Sequence, residues 1–236
     1  MTESVHIVYV STTEDLHDFW QWVATEPPSI AFDLETSGVN PYQDVIRLVQ
    51  VGDSDSCYCF PMDWSGPAVE FLESYDGLRV GHNSQFDGSF LEQYGLTNFL
   101  DPSKLHDTMF QARILWPNKP AGLKQLTEEL IDPDAKDGQK ALKDAMRKGD
   151  WGWHDVPTDL PEYWQYGGLD VIYTHRLARR LQEEFLKLPP EMQQIYELEM
   201  YVAPAYRMMR NQGIEVDREA AEDLKDKYHL RLHEIS

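Results

Sequence analysis

Asp33 and Glu35 stand two apart in the run Ile30-Ala31-Phe32-Asp33-Leu34-Glu35. In an extended strand that spacing puts both carboxylates on one face, near enough to share a divalent cation. Acidic pairs are common in so acidic a chain: its composition gives about two Asp-x-Glu strings by chance, and two occur. Context separates them. Asp33 follows apolar residues, where a buried acid is costly unless a cation or hydrogen bonds compensate it. Asp217, in Asp217-Arg218-Glu219, sits where a helix begins and reads as its N-cap. Asp87, in VGHNSQFDGSF, falls in the first turn or two of a helix, where an acid is either a further ligand or simply favoured by the helix dipole. Asp107, in LHDTMF, is a better N-cap and is read as structural. Tyr166 and Asp170, four apart on a helix, point the same way one turn apart. Gly167 and Gly168 between them cost that helix roughly 2 kcal/mol relative to alanines, so a close approach to a sheet or to a bound chain should compensate. His229 and His233, spaced i,i+4, lack an accompanying carboxylate motif and are not read as a zinc site.

Bringing these side chains together requires a sheet. VHIVYV reads as a first strand, and Ser11 with Glu14 as a capping-box start for the helix after it. SIAFDLE, IRLVQVG and CYCFPM read as three strands of an antiparallel meander. A short helix (68–75), a strand LRVGHN and helices near 84–94, 107–116, 123–131 and 138–148 follow, an α/β pattern with parallel crossovers. The expectation is an α/β fold with a mixed five-stranded sheet flanked by helices. Cys57 and Cys59, on one face of a strand, read as buried thiols. The break at Leu188-Pro189-Pro190 divides a domain over 1–188 from a helical segment over 189–236. In that segment Pro204 should kink a helix over 191–211, Gly213 should cap it, and Asp217 should start another with Ala221, Leu224, Tyr228 and Ile235 on one stripe. The segment reads as the start of a truncated domain; a helical appendage folded onto the first domain is the alternative.

The 236 residues, 42% of them hydrophobic, suffice for a buried core and exclude disorder as the main description. No apolar run reaches membrane-spanning length and the N-terminus lacks the features of a signal peptide, so a soluble, cytoplasmic protein without membrane partners is expected. The net charge of −20 has the wrong sign for gripping DNA by its phosphates alone. The imbalance is uneven: residues 1–100 hold only Arg47 and Arg79 as basic residues, whereas Lys136, Lys140, Lys143, Arg147 and Lys148 form a local basic stretch. That stretch, with Trp151 and Trp153, could supply phosphate contacts and base stacking; core packing of the tryptophans and a solvated helix face for the lysines are the alternatives.

Taken in order, IAFDLETSG, VGHNSQFDGSF and YGGLDV, their aspartates 54 and 83 positions apart, resemble the three motifs of the DEDD superfamily of 3′–5′ exonucleases. With Tyr166 four before the last aspartate, the chain resembles the tyrosine subgroup; the histidine subgroup would want a histidine where Gln165 stands. HDTMFQARIL and GLKQLTEELI resemble the helices between the second and third motifs, and LEMYVAPAYRMMRNQGIEVD resembles the segment where the polymerase part of a family A (DNA polymerase I-like) enzyme begins. The resemblance covers roughly 28–217, and the compact, phage-like form of that family is the one resembled.

The resemblance implies a ribonuclease H-like fold and a proofreading exonuclease. Its substrate would be a single-stranded DNA 3′ end, its products nucleoside 5′-monophosphates, and its partner a polymerase domain of the same native chain in a bacterial or phage-infected cell. It implies two divalent ions, Mg²⁺ with Mn²⁺ able to substitute. Asp33, Glu35 and Asp170 would hold one, Asp33 would bridge to the second, and Asp87 would hold the second directly or through water. Tyr166 with Glu35 would orient the attacking water, since a tyrosine hydroxyl suits hydrogen bonding better than general-base work near neutral pH. Val39 stands where the family puts an apolar wedge against the terminal base; Thr36, Asn83, Lys140 and Lys143 complete the expected substrate contacts. A ribonuclease D-like RNA processor is the runner-up, disfavoured by the polymerase-like segment from Leu198. A non-catalytic scaffold is disfavoured because all four acids and the tyrosine are present.

Overall fold

The computed structural model describes residues 5–96 and 98–235. Strand β1 (His6–Tyr9) and helix α1 (Thr13–Val23) lead into β2 (Ser29–Thr36), β3 (Ile46–Gly52) and β4 (Ser56–Pro61), paired as the expected antiparallel meander. Next come α2 (Gly66–Ser74), β5 (Leu78–Gly81), α3 (Ser84–Gln93), β6 (Leu105–Asp107) and α4 (Thr108–Leu115). Helices α5 (Leu123–Leu130), α6 (Asp137–Gly149), α7 (Pro161–Phe185), α8 (Pro190–Gln212) and α9 (Arg218–Ile235) complete the chain.

The strands form one mixed sheet in the order β1-β4-β3-β2-β5-β6, with β1, β5 and β6 joined by parallel pairing. Among the described residues it has six strands, not five. The addition is β6, three residues long, which is too short to show alternation in the sequence and is defined only by its pairing with β5. The capping box of α1 also lies one residue later than expected, on Thr12 and Asp15. The Asp15 carboxylate takes the Ser11 and Thr12 amides and the Thr12 hydroxyl together, which fixes the register.

Alternation along the central strands divides the sheet into two unlike faces. Ile30, Phe32, Leu34, Val49, Val51, Tyr58 and Phe60 enter a large aromatic core with Phe19, Trp22 and Phe71. On the opposite face, Ala31, Cys57 and Cys59 pack against Val171 and Ile172 of α7, and both thiols are free and buried. Asp33 and Glu35 share this second face with Ala31 by their spacing, so the acids lie under α7.

Two local devices set the helices. Asp107 is structural, as expected: its carboxylate takes the Ser84 amide (2.7 Å) at the start of α3 and the Met109 and Phe110 amides (2.9 and 3.2 Å) at the start of α4. It thereby ties two helix N-termini to one buried acid. Gly167 and Gly168 let α7 approach the sheet, as their helix cost suggested. A Cβ on Gly168 would lie 2.5 Å from Ile7 Cγ2 and 3.3 Å from Cys59 Sγ.

The chain forms two compact units, residues 1–204 and 205–236. The Leu188-Pro189-Pro190 break separates α7 from α8, but packing of the first unit runs on through Tyr196 and Met200. In the second unit Gly213 adopts a φ of 67° directly after α8, as its reading as a cap required, and Asp217 Oδ1 accepts the Ala220 amide at the start of α9. No described residue of α9 is buried. Among the described residues no helix is long and apolar enough to cross a membrane.

Candidate active site

β2 and α7 supply the central acids. Asp33, Glu35 and Asp170 each present a carboxylate oxygen, and these oxygens lie within 4.8 Å of one another. The register of β2 against β3 shifts between Glu35 and Thr36, so regular pairing ends beside the pair of acids. Tyr166 stands one turn before Asp170 on α7 and rests its ring among Leu48, Leu142, Met146 and Tyr163.

Crowded, poorly hydrated like charges raise one another's pKa. Burial, reinforced by Asp87, Glu35 and Asp170, pushes the Asp33 carboxyl well above the usual carboxylate range. Burial and then Asp170 do the same to Glu35. Asp170 is raised by burial, against the pull of Lys124 and Tyr166. Burial also drives the Tyr166 hydroxyl far upward, with Asp170, Glu35 and Asp33 adding to it, so it remains a neutral donor. Clustered carboxylate oxygens that resist ionising together are a donor set suited to a hard divalent cation, whose charge would offset their repulsion. The residues therefore fit the metal that the motifs imply.

Asp87 lies in the first turn of α3, outside the three-acid cluster yet close enough to raise the pKa of Asp33. Its Oδ1 accepts the Leu34 amide at 3.2 Å, and burial pushes its carboxyl up to about 7 against the lowering effect of that bond. Among the other expected contacts, Thr36 donates to Gly38 O at 2.6 Å, Val39 is 76% exposed, and Asn83 is exposed in a left-handed conformation just before α3. Lys140 and Lys143 are exposed on α6, the helix whose buried Leu142 and Met146 pack beside Tyr166. Lys136 pairs with Glu128 and Arg147 with Asp144, so part of the basic stretch is neutralised locally. Trp151 packs partly buried in that same cluster; Trp153 remains 39% exposed.

Two site residues escaped the sequence reading. Lys124, in the first turn of α5, is buried and ion-paired with Asp170, its ammonium 4.3 Å from the centre of the Tyr166 ring. The available signal was a cation at the wrong end of a helix dipole. Gln50, fully buried on β3, is registered opposite Asp33, and neither its Nε2 nor its Oε1 finds a partner among the described residues. Its signal was a lone amide in the apolar run Leu48-Val49-Gln50-Val51.

A mixed sheet whose central strand carries two carboxylates, closed by a long helix that delivers a third and a tyrosine, defines a ribonuclease H-like nuclease fold. The chain belongs to the 3′-5′ exonuclease family of the DNA polymerase A type, whose family model matches residues 7–186. It is similar to the DNA polymerase of Mycobacterium phage L5, at 25% identity over 95% of this chain and 40% of the polymerase. The chain thus spans well under half of that relative. Among solved structures, Brucella melitensis NrnC with bound Mg²⁺ shares the fold at a TM-score of 0.61 and 18% identity, over 90% of this chain and 95% of that one. Escherichia coli RNase D, an exoribonuclease, shares it at 0.61 and 17% identity, over 95% of this chain and 56% of that one.

Proposed function

We propose that this domain is a two-metal 3′–5′ exonuclease that removes nucleoside 5′-monophosphates from single-stranded DNA ends and proofreads for a polymerase domain of the same native chain. The observation that carries the reading is the convergence of Asp33, Glu35 and Asp170 within 4.8 Å, one helical turn from Tyr166. Asp33, Glu35 and Asp170 would hold one ion; Asp33 and Asp87 would hold the second. Divalent ions in such a site activate water, clamp a phosphate and stabilise a leaving oxygen.

The remaining chemistry belongs to the chain. The Tyr166 hydroxyl, kept neutral by burial and surrounding acids, donates a hydrogen bond that orients the attacking water together with Glu35. The terminal nucleotide would lie against Thr36 and the exposed Val39, and the exposed Lys140 and Lys143 would meet the phosphates upstream. DNA is favoured over RNA because the phage L5 relative is a DNA polymerase, and the helices beyond 188 are read as the start of the polymerase part.

The test is digestion of 5′-labelled single-stranded DNA and RNA of one sequence, with Mg²⁺, Mn²⁺ or EDTA. Stepwise shortening of DNA from the 3′ end that stops in EDTA and in Asp33→Ala is expected. Undiminished activity in EDTA would remove the metal mechanism, and preference for RNA would transfer the domain to ribonuclease D-like processing.

A further inference from the structure

The acidic site contains its own cation. Lys124 reaches in from α5, an element the motifs do not include, and its Nζ pairs with Oδ1 of Asp170, one of the three carboxylates clustered within 4.8 Å. Both partners are withdrawn from water, their side chains 11% and 7% exposed. The same ammonium lies 4.3 Å from the ring centre of Tyr166 and 5.9 Å from that of Tyr173. The Tyr173 ring is held in turn by its hydroxyl, which donates to Asp132 Oδ2 at 2.8 Å.

A cation in the first turn of a helix opposes the macrodipole, and withdrawing an ammonium from water adds a desolvation cost. Both costs are offset only because Asp170, with Asp33 and Glu35 nearby, surrounds the charge with carboxylates. The aromatic faces hold the same ammonium by contacts that use no carboxylate oxygen and do not depend on Asp170. A divalent ion bound by Asp33, Glu35 and Asp170 would claim the oxygens that Lys124 engages.

We propose that Lys124 is a built-in counter-cation that exchanges with a divalent ion at Asp170: it neutralises the acidic cluster until a metal arrives, then yields Asp170 and stays against the Tyr166 ring. The inference rests on the metal-site reading of Asp33, Glu35 and Asp170. It makes Lys124 a positioning residue that weakens metal affinity and stabilises the fold in chelator. A permanent structural salt bridge would have the opposite signature, since its loss would disorder Asp170 and weaken metal binding.

The experiment compares wild type, Lys124→Met and Lys124→Arg without DNA, by Mn²⁺ calorimetry and by thermal unfolding in EDTA and in Mn²⁺. Lys124→Gln serves as a second neutral variant should the methionine protein not fold. Removing one positive charge about 5 Å from a divalent ion should tighten Mn²⁺ binding roughly tenfold even with water-like screening. The neutral variants should therefore bind Mn²⁺ about tenfold more tightly, unfold at lower temperature in EDTA, and gain more from Mn²⁺ than wild type. Lys124→Arg, which keeps the charge, should bind no more tightly than wild type. Unchanged or weaker Mn²⁺ binding by the neutral variants, with clear binding by wild type, overturns the exchange and leaves the metal site standing. Absence of Mn²⁺ binding in wild type overturns both.

Discussion

Gln50 occupies the space that a side chain on Gly167 would need: a Cβ built there would overlap the Gln50 amide nitrogen and stand 3.3 Å from Glu35 Oε1. The pair joins the sheet to α7 at the acidic site. The glycine makes room for a buried amide, and the amide, with no partner among the described residues, lies beside a predicted metal ligand.

Gly167→Ala therefore has two opposed effects. Alanine favours a helix interior by about 0.8–1.0 kcal/mol, while overpacking a filled site costs about 1–3 kcal/mol. Overpacking should win, giving a net loss on the order of 1 kcal/mol and lower nuclease activity as Gln50 is pressed toward Glu35. Gln50→Ala in the same chain should recover part of both losses, which denaturant titration of the four proteins of a double-mutant cycle will measure. A Gly167→Ala protein of wild-type stability and rate would show that the space is not shared.

Tyr166→Phe keeps the ring that faces Lys124 and deletes only the hydroxyl. Mn²⁺ affinity should change little, while the single-turnover rate should fall on the order of 10–10³-fold, the usual cost of one positioning hydrogen bond. Asp170→Ala should be worse, and the double variant little worse than Asp170→Ala alone, because the two side chains serve one event. A Tyr166→Phe protein at full rate would make the tyrosine a packing residue.

Asp87 links the site to pH. Its carboxyl is pushed up to about 7 from 3.8, so between those values the unfolded chain has released a proton that the fold still holds. Stability from this group therefore falls as pH rises through that window and is level above it. Asparagine carries no such penalty and can still accept the Leu34 amide. In EDTA, the melting temperature of Asp87→Asn minus that of wild type should increase from pH 4.5 to pH 7.5. His82, pushed down to about 4 by burial, titrates with the opposite effect, but it is common to both proteins and cancels in the difference. A difference that does not change with pH would place the carboxyl of Asp87 in the ordinary range.

Reversing the charge of Lys140 and Lys143 should raise KM for single-stranded DNA about three- to tenfold, with kcat nearly unchanged and the effect shrinking at high salt. Lys225→Glu with Lys227→Glu, on α9, changes the net charge equally and controls for general repulsion. Equal responses of the two double variants would leave the α6 lysines as a solvated face.

Local pattern determined much of this protein. A spacing of two in a strand places Asp33 and Glu35 on one face, a spacing of four in a helix places Tyr166 beside Asp170, and Asp107 caps a helix because its short carboxylate reaches the next free amides. These geometries are properties of a few consecutive residues, so the sequence displays them. Even the burden of Gly167-Gly168 was legible as a helix that must touch something. What it touches was not: Gln50 comes from another strand, Ile7 from the edge strand β1, and Lys124 from a helix with no motif of its own. Strand β6 and the one-residue shift in the cap of α1 were decided in the same way, by partners rather than propensity. Periodicity states which face of an element is apolar or acidic. Only packing over long chain separations decides which other element covers that face, and with it which lysine neutralises the acids and which glutamine is buried among them.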